Sequence, residues 1–385
     1  MGIYKNMKTI NIGLVGFGAM GKLHAFCVSS LPYYFERCGF EASLYGICTS
    51  SLEHSKDVLE RYGFKKIYED AHQMISDPCI DVIDICTPNY LHHEVILEAL
   101  SAGKNVLCEK PLCVTVDEAL EAYHASMRTG TVCGIVFNNR HLSPIIRAKQ
   151  LIDEGRIGDI ISFSGEYLHD SAIDTKKKAG WKQNSDYGGG VLYDLGSHII
   201  DLIYYLCGEF ESVFGRAQIA FPTRPGQNGE EWQTNADEAF YINARLKCGA
   251  CGSITASKLA TGTNDDLNFS IYGTKGAIKF SLMEPDWIYF YDTADKSDSF
   301  GGDRGFKRIE CVQRYGISPA FPAVKASQGW VRGHIGSMGA YLGAVASGEK
   351  FTPSFRDALH VQAVIEAAYR SAANGKCEKI RNFEH

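Results

Sequence analysis

Thr9-Ile10-Asn11-Ile12-Gly13-Leu14-Val15-Gly16-Phe17-Gly18-Ala19-Met20-Gly21 runs from a β-rich apolar stretch into a glycine-punctuated turn, and a helical stretch to about Ser30 follows. Gly16-x-Gly18-x-x-Gly21 in that setting predicts a dinucleotide-binding turn. The first glycine permits the tight turn, the second lets a pyrophosphate approach the backbone, and the third lets helix and strand pack closely. The helix N-terminus adds N–H donors and a positive dipole end. A lone glycine triplet is weak evidence. Its place between a strand and a helix gives it weight.

Outward from this turn the first third of the chain keeps alternating. Residues 43–48, 81–86 and 105–108 read as strands, and residues 52–62 and 94–102 as helices, the latter ended by Gly103. Such alternation implies βαβ units and a parallel sheet. The continuous apolar runs imply strands covered on both faces. After about Phe137 the texture changes. A helix at 144–154 leads to an alternating strand at 160–167, and Gly188-Gly189-Gly190 precedes an apolar helix at 192–206. Strands are predicted at 213–220, 239–246, 253–257, 268–272 and 277–280, with turns at 247–250 and 273–276, and these imply an antiparallel sheet. Residues 222–235 and 293–304 read as polar loops, and helices at 331–347 and 354–374 close the chain. The expected fold class is α/β, with a dinucleotide-binding domain at 1–137 and a second α/β domain at 138–385.

The chain has 385 residues, enough for two or three domains and a core that needs neither metal nor disulfide. Its net charge of -6 argues against nucleic-acid binding, and no apolar run reaches the ~20 residues of a membrane span. The N-terminal stretch lacks a signal-peptide pattern, and Asn6 stands where a myristoylation signal wants Ser or Thr. Thirteen cysteines without an export signal read as reduced thiols. A cytoplasmic protein is expected.

Three further clusters carry chemistry. Thr49-Ser50-Ser51 follows the second strand, where an NAD-selective site places an acid to hold the ribose 2′-hydroxyl. None is present, and Glu53 lies inside the next helix, so NAD or NADP fits, with a slight preference for NADP. Thr87-Pro88-Asn89-x-Leu91-His92 and Cys108-Glu109-Lys110-Pro111 sit at the ends of the next two strands, where ligands bind in open α/β sheets. Lys110 is expected to point into that crevice. Asp194, His198 and Asp201 share one face if 192–206 is a regular helix, and a carboxylate one turn away raises the basicity of a histidine proton carrier. The same three spacings also suit a metal site, though no further ligand is evident, or an N-cap aspartate beside a packed histidine. No metal is expected. Cys248-x-x-Cys251 has no second pair at zinc-like spacing and reads as a hairpin turn.

Gly16–Gly21, CTPNYLH, CEKPL and GGGVLYDLGSHIIDL together resemble the Gfo/Idh/MocA oxidoreductases, as do the segments around 140–158 and 355–371. The resemblance covers nearly the whole chain. It implies a Rossmann domain followed by an α/β domain with a large, open, mainly antiparallel sheet that builds homodimers or homotetramers, and a last helix that packs back on the first domain. It also implies that Lys110, Asp194 and His198 are the catalytic residues and that the substrate is a sugar, an inositol or a nucleotide-linked sugar. On this reading Gly16, Phe17, Gly18, Ala19, Met20, Gly21, Thr49, Ser50, Ser51, Thr87, Pro88, Asn89, His92, Glu109 and Lys110 hold the cofactor. Lys110, Arg140, Tyr167, Asp194 and His198 face the substrate. The expected activity is NAD(P)-dependent hydride transfer between nicotinamide and a secondary alcohol. An NAD-dependent glycosidase and a non-catalytic sugar sensor are the alternatives within the family.

Overall fold

A computed structural model describes residues 8–35, 38–300, 302–312, 326–327 and 329–383. The N-terminal tail with Asn6, and Gly301 of the loop at 293–304, lie outside them. The chain divides into two compact units. The first runs through His141 and also takes in Val331–Leu359. The second begins at Leu142 and resumes at His360.

In the first unit six strands pair in parallel: β1 (Lys8–Val15), β2 (Phe40–Cys48), β3 (Lys66–Ile67), β4 (Val82–Ile85), β5 (Asn105–Cys108) and β6 (Cys133–Ile135). Their order, β3-β2-β1-β4-β5-β6, is that of a Rossmann sheet. All four residues of β4 are buried, as a strand covered on both faces requires. β3 and β6 span only two and three residues, too short to leave a sequence pattern.

The connecting helices are α1 (Ala19–Tyr34), α2 (Leu52–Tyr62), α3 (Ala71–Ser76), α4 (His92–Ser101) and α5 (Val116–Thr129). Ser51 caps α2 by accepting from the His54 N–H, and Thr115 and Glu118 form a capping box on α5. One register detail positions everything that follows. Val15 pairs with Cys48 on one side and Ile85 on the other, and Ile85 pairs with Cys108. The segments leaving β1, β2, β4 and β5 therefore emerge side by side at one edge of the sheet.

The second unit contains α6 (Ser143–Asp153), β7 (Ile160–Leu168), α7 (Ser197–Cys207), β8 (Phe210–Gln218), β9 (Thr223–Pro225), β10 (Glu231–Gln233), β11 (Ala239–Leu246), β12 (Cys251–Ser257), β13 (Asp266–Gly273), β14 (Gly276–Ser281), β15 (Trp287–Asp292) and β16 (Lys307–Glu310). α8 (Val331–Ser347) belongs to the first unit. α9 (Phe355–Asn374) starts in the first unit and continues in the second, where β17 (Glu378–Lys379) completes a nine-stranded sheet. That sheet runs β16-β15-β14-β13-β7-β12-β11-β8-β17, and its pairs are antiparallel except β7 with β12. The expected α/β class and mainly antiparallel second sheet are present.

Two sequence expectations need correction. The polar stretch at 222–235 contains the β9–β10 hairpin, in which Arg224 is buried and ion-paired to Glu238 at 2.7 Å. Composition alone hid it. Residues 192–206 do not form one regular helix either. Leu192–Gly196 is a π-helical turn, and the α-helix starts only at Ser197. Among the described residues no helix is long and apolar enough to cross a membrane.

Candidate active site

The turn after β1 has the features that a bound dinucleotide needs. Gly16 adopts φ +93°, and a Cβ there would stand 2.7 Å from the Cys86 carbonyl oxygen. A Cβ on Gly21 would stand 2.3 Å from the Gly16 carbonyl oxygen, so Gly21 lets α1 close onto the turn. Gly18 differs: nothing lies within 4 Å of its Cβ position. It is also the N-cap of α1, with no side chain capping the helix and no acid in the first turn. Open space over uncapped N–H groups is what a pyrophosphate requires. Nearby, Thr87 Oγ1 is buried with no hydrogen-bond partner.

The residues expected around this cradle separate into two groups. Ala19, Met20, Pro88 and the exposed Ser50 lie on the segments that emerge beside it, as does the half-buried Lys110, and Asn89 is buried there. Thr49 and Ser51 hold the loop itself: Thr49 Oγ1 donates to the Ser51 carbonyl at 2.9 Å, and Ser51 caps α2. Phe17 turns its ring into the core, 4% exposed and edge-on to Tyr62 at 4.9 Å, which leaves only its main chain for a ligand.

His92 and Glu109 must be reassigned. His92 is fully buried, with ring nitrogens 2.9 Å from the Pro111 carbonyl and 3.0 Å from the Thr87 carbonyl. Burial lowers its pKa, against the pull of those carbonyls. It ties the Thr87 loop to the turn after Lys110 and has no face for a cofactor. Glu109 lies in a buried ionic cluster that sequence reasoning missed. Its Oε1 is 3.1 Å from His24 Nε2, and its Oε2 accepts the Lys110 main-chain N–H at 3.1 Å. His24 Nδ1 is 2.9 Å from Asp84 Oδ1 and 3.2 Å from Cys86 Sγ.

Burial opposes a charged His24, but the Asp84 carboxylate and Cys86 raise it well above the ordinary histidine range. Burial likewise opposes a charged Glu109, but His24, Lys110 and His334 hold it at about 2. A carboxylate at each ring nitrogen favours the charged form of His24. Two signals were available. Asp84 interrupts the run Val82-Ile83-Asp84-Ile85, and His24 falls on the buried stripe of α1 with Gly21, Val28 and Leu31. Among the described residues the grouping with metal-ligand spacing is His24, Asp84 and Cys86, not Asp194, His198 and Asp201.

Arg140 is 5% exposed, and one of its guanidinium nitrogens is ion-paired to Asp357 at 3.2 Å.

In the second unit Asp194 stands on the π-helical turn and His198 in the first turn of α7, both half-buried. π-turns are frequent at functional sites. The Asp194 carboxylate is paired with Lys182 at 3.0 Å, 12 positions away, and with the more distant Lys258 at 2.8 Å, partners that no helix-spacing rule reveals. The Tyr167 ring lies edge-on to His198, with centroids 5.9 Å apart. Its hydroxyl bonds Asp265, which also pairs with His169 Nε2 at 2.8 Å, and burial and Asp265 together raise the Tyr167 pKa. Tyr167, His198, Asp194 and Asp265 thus form one neighbourhood, with His169 and Lys258 beside it.

Two family models match the chain. The oxidoreductase family, NAD-binding Rossmann fold, matches residues 10–137, and the GFO/IDH/MocA C-terminal domain matches residues 145–279. The chain belongs to the Gfo/Idh/MocA family.

As a Gfo/Idh/MocA protein it is an oxidoreductase with an NAD-binding Rossmann domain. It is 32% identical over 383 residues to levoglucosan dehydrogenase of Pseudarthrobacter phenanthrenivorans, covering 95% of this chain and 97% of that protein. It is 26% identical over 304 residues to myo-inositol 2-dehydrogenase of Thermotoga maritima, covering 78% and 81%. Among solved structures it is similar to levoglucosan dehydrogenase in complex with NADH and levoglucosan, with TM-score 0.93 and 31% identity, covering 97% of this chain and 100% of that one.

Proposed function

We propose that the protein is a dehydrogenase that oxidises or re-forms a secondary alcohol of a sugar or inositol. The observation that carries this reading is the open cradle at Gly18 in a chain that has Lys110 and His198 at the family's motif positions. Bound nicotinamide supplies or takes up the hydride. Lys110 donates a hydrogen bond to the reacting oxygen and stabilises its developing negative charge. His198 Nε2 or Nδ1 removes the hydroxyl proton or returns it. Asp194 carries its charge beside Lys182 and Lys258 and positions the sugar. Tyr167 borders His198 and forms a wall of the substrate pocket.

The test is an absorbance screen at the nicotinamide wavelength, with NAD and with NADP, against levoglucosan, glucose 6-phosphate, xylose, myo-inositol, scyllo-inositol and nucleotide sugars. Reduction with at least one neutral sugar or inositol is expected. Cofactor binding without reduction on any of them would overturn the dehydrogenase reading. Release of an aglycone without net NADH would replace it with cofactor-assisted hydrolysis.

Thr49-Ser50-Ser51 places no acid against a ribose 2′-phosphate, so NADP is expected to bind at least comparably to NAD. Ser50→Asp is expected to weaken NADP by about 1–3 kcal/mol relative to NAD, the scale of a hydrogen-bonded charge contact. Calorimetric titration of both variants with both cofactors checks this. A wild type that already rejects NADP strongly would contradict it.

The nine-stranded sheet carries exposed Phe214, Tyr241 and Tyr272 on one face. Exposed aromatic side chains on an open sheet face suit an interface, and a homodimer or homotetramer through this face is expected. Light scattering at high micromolar concentration that gives a 42.5 kDa particle would contradict it.

A further inference from the structure

The His24–Asp84–Glu109 cluster is buried, joins α1 to the ends of β4 and β5, and terminates on the main chain of Lys110. We propose that His24, held by Asp84, is a positioning residue for Lys110, acting through the Glu109 carboxylate that binds the His24 ring with one oxygen and the Lys110 main-chain N–H with the other. The inference rests on the reading that Lys110 acts on the substrate oxygen.

A lysine side chain has four flexible carbons, so its ammonium is aimed only as well as its Cα is fixed. At this point the sheet ladder stops supporting the chain. The Glu109 N–H still donates to the Ile85 carbonyl at 2.9 Å, but the next N–H, that of Lys110, goes to the Glu109 side chain. A carboxylate that only reached back to its neighbour's N–H would swing with its own rotamer. Here its other oxygen is pinned by His24 at 3.1 Å, and His24 is pinned by Asp84 at 2.9 Å. Buried ion clusters stabilise less than well-packed apolar residues of similar volume. An arrangement kept for stability alone would not need three ionisable groups each no more than 5% exposed.

The groups that face this cluster include Cys27 from α1, Cys86 after β4, His92 from α4, Cys108 at the end of β5, Lys110 after it, and His334 and Tyr341 from α8. Cys86 completes the metal-like grouping with His24 and Asp84, but burial and Asp84 push its thiol up to about 12, so it is not a ready thiolate ligand. The His24 and Asp84 atoms are already at direct hydrogen-bond distance.

The experiment is a double-mutant cycle of His24→Gln with Lys110→Met, using the sugar oxidised fastest in the screen above. Amide hydrogen exchange at Lys110 is followed in parallel. His24→Gln is expected to lower kcat about tenfold or more, with cofactor affinity within about twofold, and to cause no further loss in the Lys110→Met background. Exchange at the Lys110 amide is expected to rise about tenfold or more while residues 106–108 keep their protection.

Should His24→Gln not fold, Glu109→Gln takes its place and is expected to give the same pattern, since the amide replaces one of the two acceptor oxygens with an NH2 donor and can no longer offer each donor an oxygen of its own. Equal losses in both backgrounds, or exchange rising through the whole sheet, would reduce the cluster to a structural role. Stoichiometric zinc in the purified protein that disappears in Cys86→Ala would overturn the proposal. An inactive Lys110→Met beside a His24→Gln of wild-type kcat removes this inference alone. Full turnover in Lys110→Met removes the reading of Lys110 as well.

Discussion

His198→Ala is expected to lower turnover by about 10²–10⁴, the usual contribution of a positioned acid–base group, with cofactor binding nearly intact. His198 is half-buried in the first turn of α7, edge-on to Tyr167 and outside the Rossmann unit, so its loss leaves the glycine turn untouched. The direction of the pH profile follows from its role as base. In the oxidative direction only the neutral ring accepts a proton, so the rate falls as pH drops and His198 becomes imidazolium. In the His198→Ala variant that acid limb should flatten. Asp194→Asn should cost less, because it alters the charge beside Lys182 and Lys258 without removing the base. Steady-state kinetics across pH on a substrate from the screen measures all of this. Near-normal turnover of His198→Ala would exclude His198 as the proton carrier and move the search to Tyr167 and His169, since His92 is sealed between two carbonyls.

Gly18→Val is expected to weaken dinucleotide binding at least ~100-fold while the fold survives, because a β-branched side chain would fill the space a pyrophosphate approaches. The three glycines of the turn are not equivalent in this respect. At Gly16 a side chain would face φ +93° and the Cys86 carbonyl, and at Gly21 it would strike the Gly16 carbonyl, so either substitution strains the turn itself. At Gly18 nothing lies within reach of the new Cβ, and the loss should appear in binding alone. Calorimetric titration with NAD and NADP, beside a thermal melt, separates the two effects. Unchanged affinity in Gly18→Val would contradict cofactor binding at this turn.

By itself the sequence determined the longer elements and the cofactor turn, because these depend on local rules. Continuous apolar runs at β1, β4 and β5 required strands covered on both faces. The Gly16-x-Gly18-x-x-Gly21 spacing placed a helix N-terminus against a strand end, and short turns at 247–250 and 273–276 required antiparallel neighbours. The motifs carrying Lys110, Asp194 and His198 were equally visible, since each lies within a few consecutive residues. Tertiary structure alone decided which polar side chains are open and which are consumed. His92, Glu109 and Arg140 all looked like ligands for a small molecule. Each is buried and bonded to a protein group 19, 85 or 217 positions away, at Pro111, His24 and Asp357 respectively. Lys258 on Asp194 and Asp84 on His24 likewise come from remote segments, while Lys182 lies 12 positions from Asp194. Burying a polar group requires a partner, and which partner is a matter of how strands and helices pack, a long-range fact that no local spacing encodes.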